Sequence, residues 1–312
     1  MLNQNILFSV FTPIYNRKDK IDRVWRSLSI QTYKNFEWII VDDGSTDDIM
    51  PLLKSYQKAA QFPITILEQQ NSGKHIAWNR AVEIAKGELF VPADSDDEFV
   101  PETLETFYIY WSQIVDSERK KYSGINVLCV DSITGKVVGE EFPSSPFVSN
   151  NLDLRYKYKV KGEKWGCIRT ECLRMRKNPE VTGGYLPETW MWFWLARRFD
   201  VLCVNEPLRI YYQNEGGNIS ARKTREVYLK RLEINHIYMV WHIGTNFDYI
   251  SKFENTSSIL KSFVLMWMGS LFLKKKPFKV LSELKLSGSR IIAIITFLPG
   301  LFYFFFSPYN RK

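Results

Sequence analysis

The chain has little of what would make it a scaffold held by covalent or metal links. Its 312 residues include four cysteines (Cys129, Cys167, Cys172, Cys203) with no CxxC pair, and three histidines (His75, His236, His242) at no zinc spacing. A disulfide framework and a zinc fold are therefore excluded, and the cysteines read as reduced, buried small residues. Gly and Pro, at 16 and 13, are too few for a collagenous or low-complexity chain. No GxGxxG and no GxxxxGK[ST] occurs, so dinucleotide and P-loop readings lack the loop that would cradle a phosphate. No Lys or Arg precedes the first apolar run, which is unlike a secretory signal, and the body is expected in the cytoplasm.

What is present is a globular composition, 45% hydrophobic and 24% charged, with a net charge of +8. That charge sits wholly in the last fifth. From Ser251 onward ten Lys and Arg face two Asp and Glu, while 32 of each sign balance in the residues before it. In the last fifth the bases alternate with Phe, Trp, Leu and Ile, which suits an anionic membrane surface and not a nucleic acid. The expected organisation is a domain over residues 1–220 and a helical, basic, apolar membrane-associating region over 221–312.

Apolar runs at Ile6–Thr12 (ended by Pro13), Phe36–Val41, Ile64–Leu67 and Leu89–Ala93 read as buried strands. Between them lie helices expected over Asp19–Gln31, from a capping Thr46 to about Ala60, and over Ser72–Lys86, closed by Gly87. Such alternation implies an α/β domain with a mostly parallel sheet and helices on both faces. Farther along, a helix is expected over Pro101–Val115 and a hairpin from Val127–Val130 and Lys136–Val138. Residues 141–165 read as irregular, a strand follows at Trp165–Ile168, and a helix over Leu186–Arg198 carries Trp190, Trp192 and Trp194. Two short strands, Val201–Val204 and Leu208–Tyr212, and a flexible loop at Asn214–Asn218 complete this part.

Three strands end in polar sequences that the topology should bring to one edge: Thr12-Pro-Ile-Tyr-Asn16, Asp42-Asp43-Gly-Ser-Thr46 and Asp94-Ser-Asp-Asp97. Carboxylates two apart after a buried strand, Asp94 and Asp96, offer hard oxygens suited to Mg²⁺ or Mn²⁺ bridging to a phosphate. Asp42 and Asp43 suit helix capping or hydrogen bonds to a nucleoside. Lys74 and His75 open a helix whose free amides and added charge suit an anion.

Together with Ala85-Lys86-Gly87-Glu88, these segments resemble glycosyltransferase family 2, over roughly residues 6–215. The resemblance implies the GT-A fold, a Rossmann-like sheet, and transfer of a sugar from a nucleotide-sugar donor with inversion. It implies that Thr12, Tyr15 and Asp43 hold the nucleoside. It also implies that Asp94 and Asp96 hold the donor's ribose and a diphosphate-bound divalent cation, with Asp96 as direct ligand. Met191-Trp-Phe-Trp-Leu-Ala196 is similar to the family's LWLRLA helix, which places Glu188 at the catalytic base, where Asp is more usual. Asn79 and Arg80 stand where members often carry Arg-Asn and are expected to support the donor loop. Processive members carry QxxRW and several spanning helices. This chain has no QxxRW, so single-sugar transfer is expected, to a glycan or lipid-linked acceptor. Other readings are a sugar-1-phosphate nucleotidylyltransferase, whose Gly-rich loop is missing here, and an inactive GT-A domain serving as an assembly partner.

The tail carries two apolar stretches, Ile259–Leu273 and Ile291–Phe306, with Lys274-Lys275-Lys276 and Lys279 between them. A helix over Ile291–Phe306 would reach about 24 Å, short of a hydrocarbon core of about 30 Å, and Pro299-Gly300 interrupts it. Attachment to the cytoplasmic face of the membrane without a full crossing is expected, with a shallow dip at Pro299-Gly300.

Overall fold

The computed structural model describes residues 7–181, 186–212 and 225–306. The chain divides into two compact units: Met1–Glu180 with Met191–Gly217, and Val181–Trp190 with Asn218–Lys312. The loop expected at Asn214–Asn218 lies outside the described residues.

In the first unit, β1 (Phe8–Ile14), α1 (Asp22–Ser29), β2 (Phe36–Asp42), α2 (Met50–Ala59), β3 (Ile64–Glu68), α3 (Lys74–Ile84) and β4 (Leu89–Pro92) alternate as expected. Their strands lie parallel in the order β3-β2-β1-β4. Because successive side chains leave a strand on opposite faces, β1 and β2 feed two cores at once. Phe8, Val10, Trp38 and Ile40 pack with Leu28, Leu53 and Trp111 on one face. Phe11, Ile39 and Val41 pack with Ala77, Trp78 and Ala81 of α3 on the other. A sheet covered on both faces explains why these strands read as unbroken apolar runs.

Pro13 does not end β1; the strand runs on to Ile14, with Pro13 paired to Val41. Phe11 O accepts from Ala93 N and Ile14 O from Asp43 N, so alternate residues turn toward opposite neighbours. By that alternation the missing N–H of Pro13 faces the β4 side, where the ladder has already stopped at Pro92. Thr46 does not cap α2 either. Its N–H and hydroxyl donate to Asn16 Oδ1, and the helix begins four residues later with Pro51 in its first turn. Gly87 is not the cap of α3, whose C-cap is Ala85; a Cβ on Gly87 would lie 2.4 Å from Ser9 N, so close backbone approach requires the glycine.

Beyond β4 come β5 (Glu98–Phe99), α4 (Thr103–Gln113), α5 (Asp116–Arg119), β6 (Tyr122–Asp131), β7 (Phe147–Ser149), β8 (Lys164–Arg169), α6 (Thr170–Arg174), α7 (Thr189–Ala196) and β9 (Asp200–Tyr211). Among the described residues the sheet has nine strands and is mixed: β8 lies antiparallel between β4 and β6, β9 parallel to β6, and β5 and β7 antiparallel to β9. Several boundaries depart from expectation here. The hairpin reduces to one long strand β6 with a single bridge, Val130 to Val137. Residues 141–165 are not wholly irregular, since they hold β7 and a π-helical turn at Asp153–Lys157. The two strands expected after residue 200 are one, because β6 and β7 pair along the length of β9.

The second unit contains α8 (Arg225–Phe253), α9 (Thr256–Phe272), α10 (Pro277–Glu283) and α11 (Ser287–Phe306). Asn255 caps α9, its side chain accepting from Ser258 N at 2.8 Å. Helix α11 does not break at Pro299-Gly300. Proline there forfeits one backbone bond, but packing against α9 holds the helix: Trp267 Nε1 donates to Ala293 O at 2.6 Å, and Phe272 meets Phe304 with centroids 4.8 Å apart. Gly300 is required at this contact, since a Cβ would stand 2.4 Å from Trp267 Cβ. Its 20 residues give a length of about 30 Å. Among the described residues it is the one helix long and apolar enough to cross a membrane. The side chains it buries are small or polar (Ser289, Ala293, Thr296, Gly300), while Ile291, Ile294, Ile295, Leu298, Phe302 and Tyr303 are 59–71% exposed.

Candidate active site

Strand order 3-2-1-4 reverses direction at β1, so the loops after β1 and β4 flank a topological switch point, where ligands of such sheets bind. Hydrogen bonds tie the polar segments there into one edge. Asn16 holds a left-handed conformation, its N–H donating to Ser45 Oγ at 3.0 Å while its Oδ1 receives Thr46 N at 2.7 Å. The loop after β1 is thereby fastened to the loop after β2. Asp42 closes its own turn, Oδ1 accepting from Ser45 N at 3.0 Å.

Asp43 is buried and fastens the next segment. Its Oδ1 accepts from Gln69 Nε2 and Ser72 N, both at 2.7 Å, and its Oδ2 from Gly73 N at 2.8 Å. Gly44 lies at φ +78°, and a Cβ on it would come within 2.9 Å of Asn71 N, so this approach needs glycine. Gln69 is itself held: Arg80 donates to Glu68 O at 2.7 Å and to Gln69 Oε1 at 3.3 Å. Asn79 instead exchanges two hydrogen bonds with the backbone of Asn178.

The first residue of α3 makes the last link. Lys74 Nζ lies 2.6 Å from Asp94 Oδ1. Burial works to raise the Asp94 pKa, but Lys74 and then Arg209 outweigh it and hold the carboxyl below its usual range. Asp97 differs from its neighbours in this loop. It is buried, its Oδ1 receiving Arg209 Nε at 2.7 Å and Nη2 at 2.6 Å, its Oδ2 receiving Asp94 N at 2.8 Å. Asp97 therefore shapes the loop, leaving Asp94 and Asp96 to face outward. Arg23 stacks 3.8 Å from the Tyr212 ring centre and reaches Asp96 O at 3.5 Å, while Tyr212 hydrogen-bonds Glu98.

The expected site residues thus fall into three groups. Tyr15, Asp43, Lys74, Asp94 and Asp96 stand on the connected edge. Thr12 has its side chain fully buried, Oγ1 accepting from Trp38 Nε1 at 2.9 Å, so the hydroxyl locks β1 to β2. Glu188 stands in the turn before α7 and belongs to the second unit, beside Thr189, whose hydroxyl donates to Tyr238 Oη at 2.8 Å. The tryptophan trio separates: Trp192 meets Trp78 edge-on, Trp194 stacks under Arg198, and Trp190 packs on Trp241. All four cysteines are buried and free, and burial pushes the Cys129 and Cys203 thiols up to about 12. Sequence reasoning missed Arg209, read as part of an apolar strand; a lone Arg within Leu208-Arg-Ile-Tyr211 was the available signal.

The acidic pair fits a divalent ion in part. Among the described residues no three His, Cys, Asp or Glu side chains cluster as a complete metal cage. Asp96 keeps a half-buried carboxylate with no hydrogen-bond partner among the described residues, and Asp94 supplies further oxygen. One or two carboxylates, completed by substrate phosphate, is the usual donor set for Mg²⁺ or Mn²⁺.

A family model described as glycosyl transferase family 2 matches residues 9–176, more than half the chain. The chain belongs to this family. Among curated relatives it is similar to TuaG of Bacillus subtilis (strain 168), named for teichuronic acid biosynthesis: 38% identical over 251 residues, covering 77% of this chain and 94% of TuaG. Staphylococcus aureus TarS 1–349, solved with UDP-GlcNAc, aligns with a TM-score of 0.57 at 20% identity, covering 96% of this chain and 91% of that one. The mannosyltransferase PcManGT of Pyrobaculum calidifontis, solved with GDP-Man and Mn²⁺, gives 0.54 at 15%, covering 96% and 87%. At those identities the two structures establish the GT-A fold, and the family model with TuaG establishes a glycosyltransferase. The nucleotidylyltransferase reading finds no support in them.

Proposed function

We propose that this family 2 glycosyltransferase moves one sugar from a nucleotide-sugar donor to a hydroxyl acceptor with inversion, working at the cytoplasmic face of the membrane. The observation that carries the donor reading is the unbroken chain of contacts from Asn16 through Asp43 to Lys74 and Asp94. It fastens the segments after β1, β2, β3 and β4 into one edge. Tyr15 and Asp43, just past the two strands that the Thr12 hydroxyl joins, would orient the nucleoside, and Lys74 would meet the diphosphate. Asp94 and Asp96 would hold a divalent cation, Mn²⁺ or Mg²⁺, which when bound neutralises charge on the leaving diphosphate. Glu188 would take the proton from the attacking hydroxyl. TuaG's name points to a cell-surface polymer, so the acceptor is proposed to be such a glycan or its lipid-linked intermediate. The outward apolar face of α11 and the basic residues before it support attachment to an anionic membrane surface.

The test is a transfer assay over a panel of nucleotide sugars with Mn²⁺. Asp96→Asn is expected to lower turnover by about 100-fold or more without moving the melting temperature. Glu188→Gln is expected to lose transfer while keeping donor affinity. Near-normal turnover in Asp96→Asn, or full activity in EDTA, would remove the acidic pair from the donor site.

A further inference from the structure

We propose that a cavity in the second unit binds the phosphate of a lipid-linked acceptor, a reading that rests on membrane attachment of this unit. The cavity measures about 410 Å³ and is walled by Trp190 and Trp241, whose rings lie 4.6 Å apart, with Val240 and Val280. Lys275, Lys279 and Lys285 line it against one carboxylate, Glu283. A lining that combines three lysines with two tryptophans matches an anion carried on a hydrocarbon chain better than a free anion or an uncharged lipid. The ammoniums attract phosphate, and the indoles accept the first methylenes and resist hydration.

Two further observations choose the occupant. On the same unit α11 turns Ile294, Leu298 and Phe302 outward and packs inward through Ala293, Thr296 and Gly300. This is the arrangement of a helix whose surroundings are hydrocarbon, where small residues make the helix contacts. A ligand of the cavity would then arrive from the bilayer. Moreover, Trp190 lines the cavity and follows Glu188 by two residues in the same unit, so the segment that carries the proposed base also supplies a wall of the cavity. A bulk phospholipid has no reason to be held there, whereas an acceptor anchored through its phosphate does.

The experiment uses the full chain in phosphatidylcholine nanodiscs, titrated with decyl phosphate, decanol or inorganic phosphate and followed by tryptophan fluorescence. Decyl phosphate is expected to bind at least about tenfold more tightly than either control, and Lys279→Glu with Lys285→Glu to remove that margin. Both lysines are exposed, so the double variant should keep its melting temperature and its donor hydrolysis. Equal binding of decanol, or no difference between the wild type and the double variant, would overturn the site. Competition by phosphatidylglycerol as effective as by decyl phosphate would assign the cavity to bilayer lipid and overturn the acceptor reading. Flotation with phosphatidylcholine–phosphatidylglycerol vesicles separates the two levels. A wild type that does not float removes the membrane reading and the site with it, whereas one that floats without binding decyl phosphate loses only the site.

Discussion

The edge of the sheet and helix α11 bury opposite things. At the edge, Asp97 and Arg209 are charged residues drawn inside, and each is matched oxygen to nitrogen within 2.7 Å. In α11 the buried positions are small or weakly polar and the large apolar side chains face out. Both patterns invert the usual rule, for different reasons. A charge tolerates burial only when its partners replace water, and that network fixes a loop in one shape. A contiguous exposed apolar face marks a surface that meets another apolar one, a membrane or a partner.

The comparison breaks most readily at Arg209. Arg209→Met is expected to destabilise the first unit by about 3–5 kcal/mol, because it leaves the Asp97 carboxylate buried without its cation. Guanidinium unfolding monitored by tryptophan fluorescence measures this. A loss under about 1 kcal/mol would show that water reaches Asp97 and that the edge is not held by charge.

His236 sharpens the contrast from the second unit. Burial, then Lys275, lowers its pKa from 6.5 to about 4. The folded pKa lies below the unfolded one, so the unfolded chain binds the proton more readily. Its stabilising effect is complete above about pH 6.5 and declines as pH falls toward about 4, by roughly 3 kcal/mol in all. Thermal melting of the full chain between pH 7 and 4 should show the decline, and His236→Phe should remove that part of it.

Within α11 the two faces should respond differently. Gly300→Leu drives side-chain atoms into Trp267 and is expected to cost about 1–3 kcal/mol, read as a lower melting temperature in detergent. Leu298→Ser on the outer face should leave melting nearly unchanged and weaken vesicle flotation. If both substitutions act alike, the faces are not distinct. The smallest effect belongs to Lys18 and Asp48, an exposed pair 3.8 Å apart; Lys18→Ala should change unfolding free energy by less than about 1 kcal/mol.

Much of the first four strands was legible, because Phe36–Val41 and Leu89–Ala93 are short, mostly apolar runs bounded by turn residues, as strands of a doubly covered sheet are. The second half was harder. Whether β8 runs antiparallel, and whether Val201–Val204 joins Leu208–Tyr212, depends on partners far away in sequence. Element ends were decided by contacts as well: Thr46 reads as a cap until Asn16 claims its N–H and hydroxyl.

By itself, the sequence determined the family, the α/β alternation, the edge at which Tyr15, Asp43, Asp94 and Asp96 gather, and the charge asymmetry of the last fifth. These follow from local pattern, since apolar period and turn chemistry are properties of neighbouring residues. Only tertiary structure decided that Asp97 is a buried strut and Asp96 is not, that the Thr12 hydroxyl serves Trp38, and that α11 continues through Pro299. Each of those depends on which distant group, Arg209, Trp38 or Trp267, arrives alongside. A hydrogen bond or a packed ring between residues far apart in the chain leaves no periodic trace in the sequence between them.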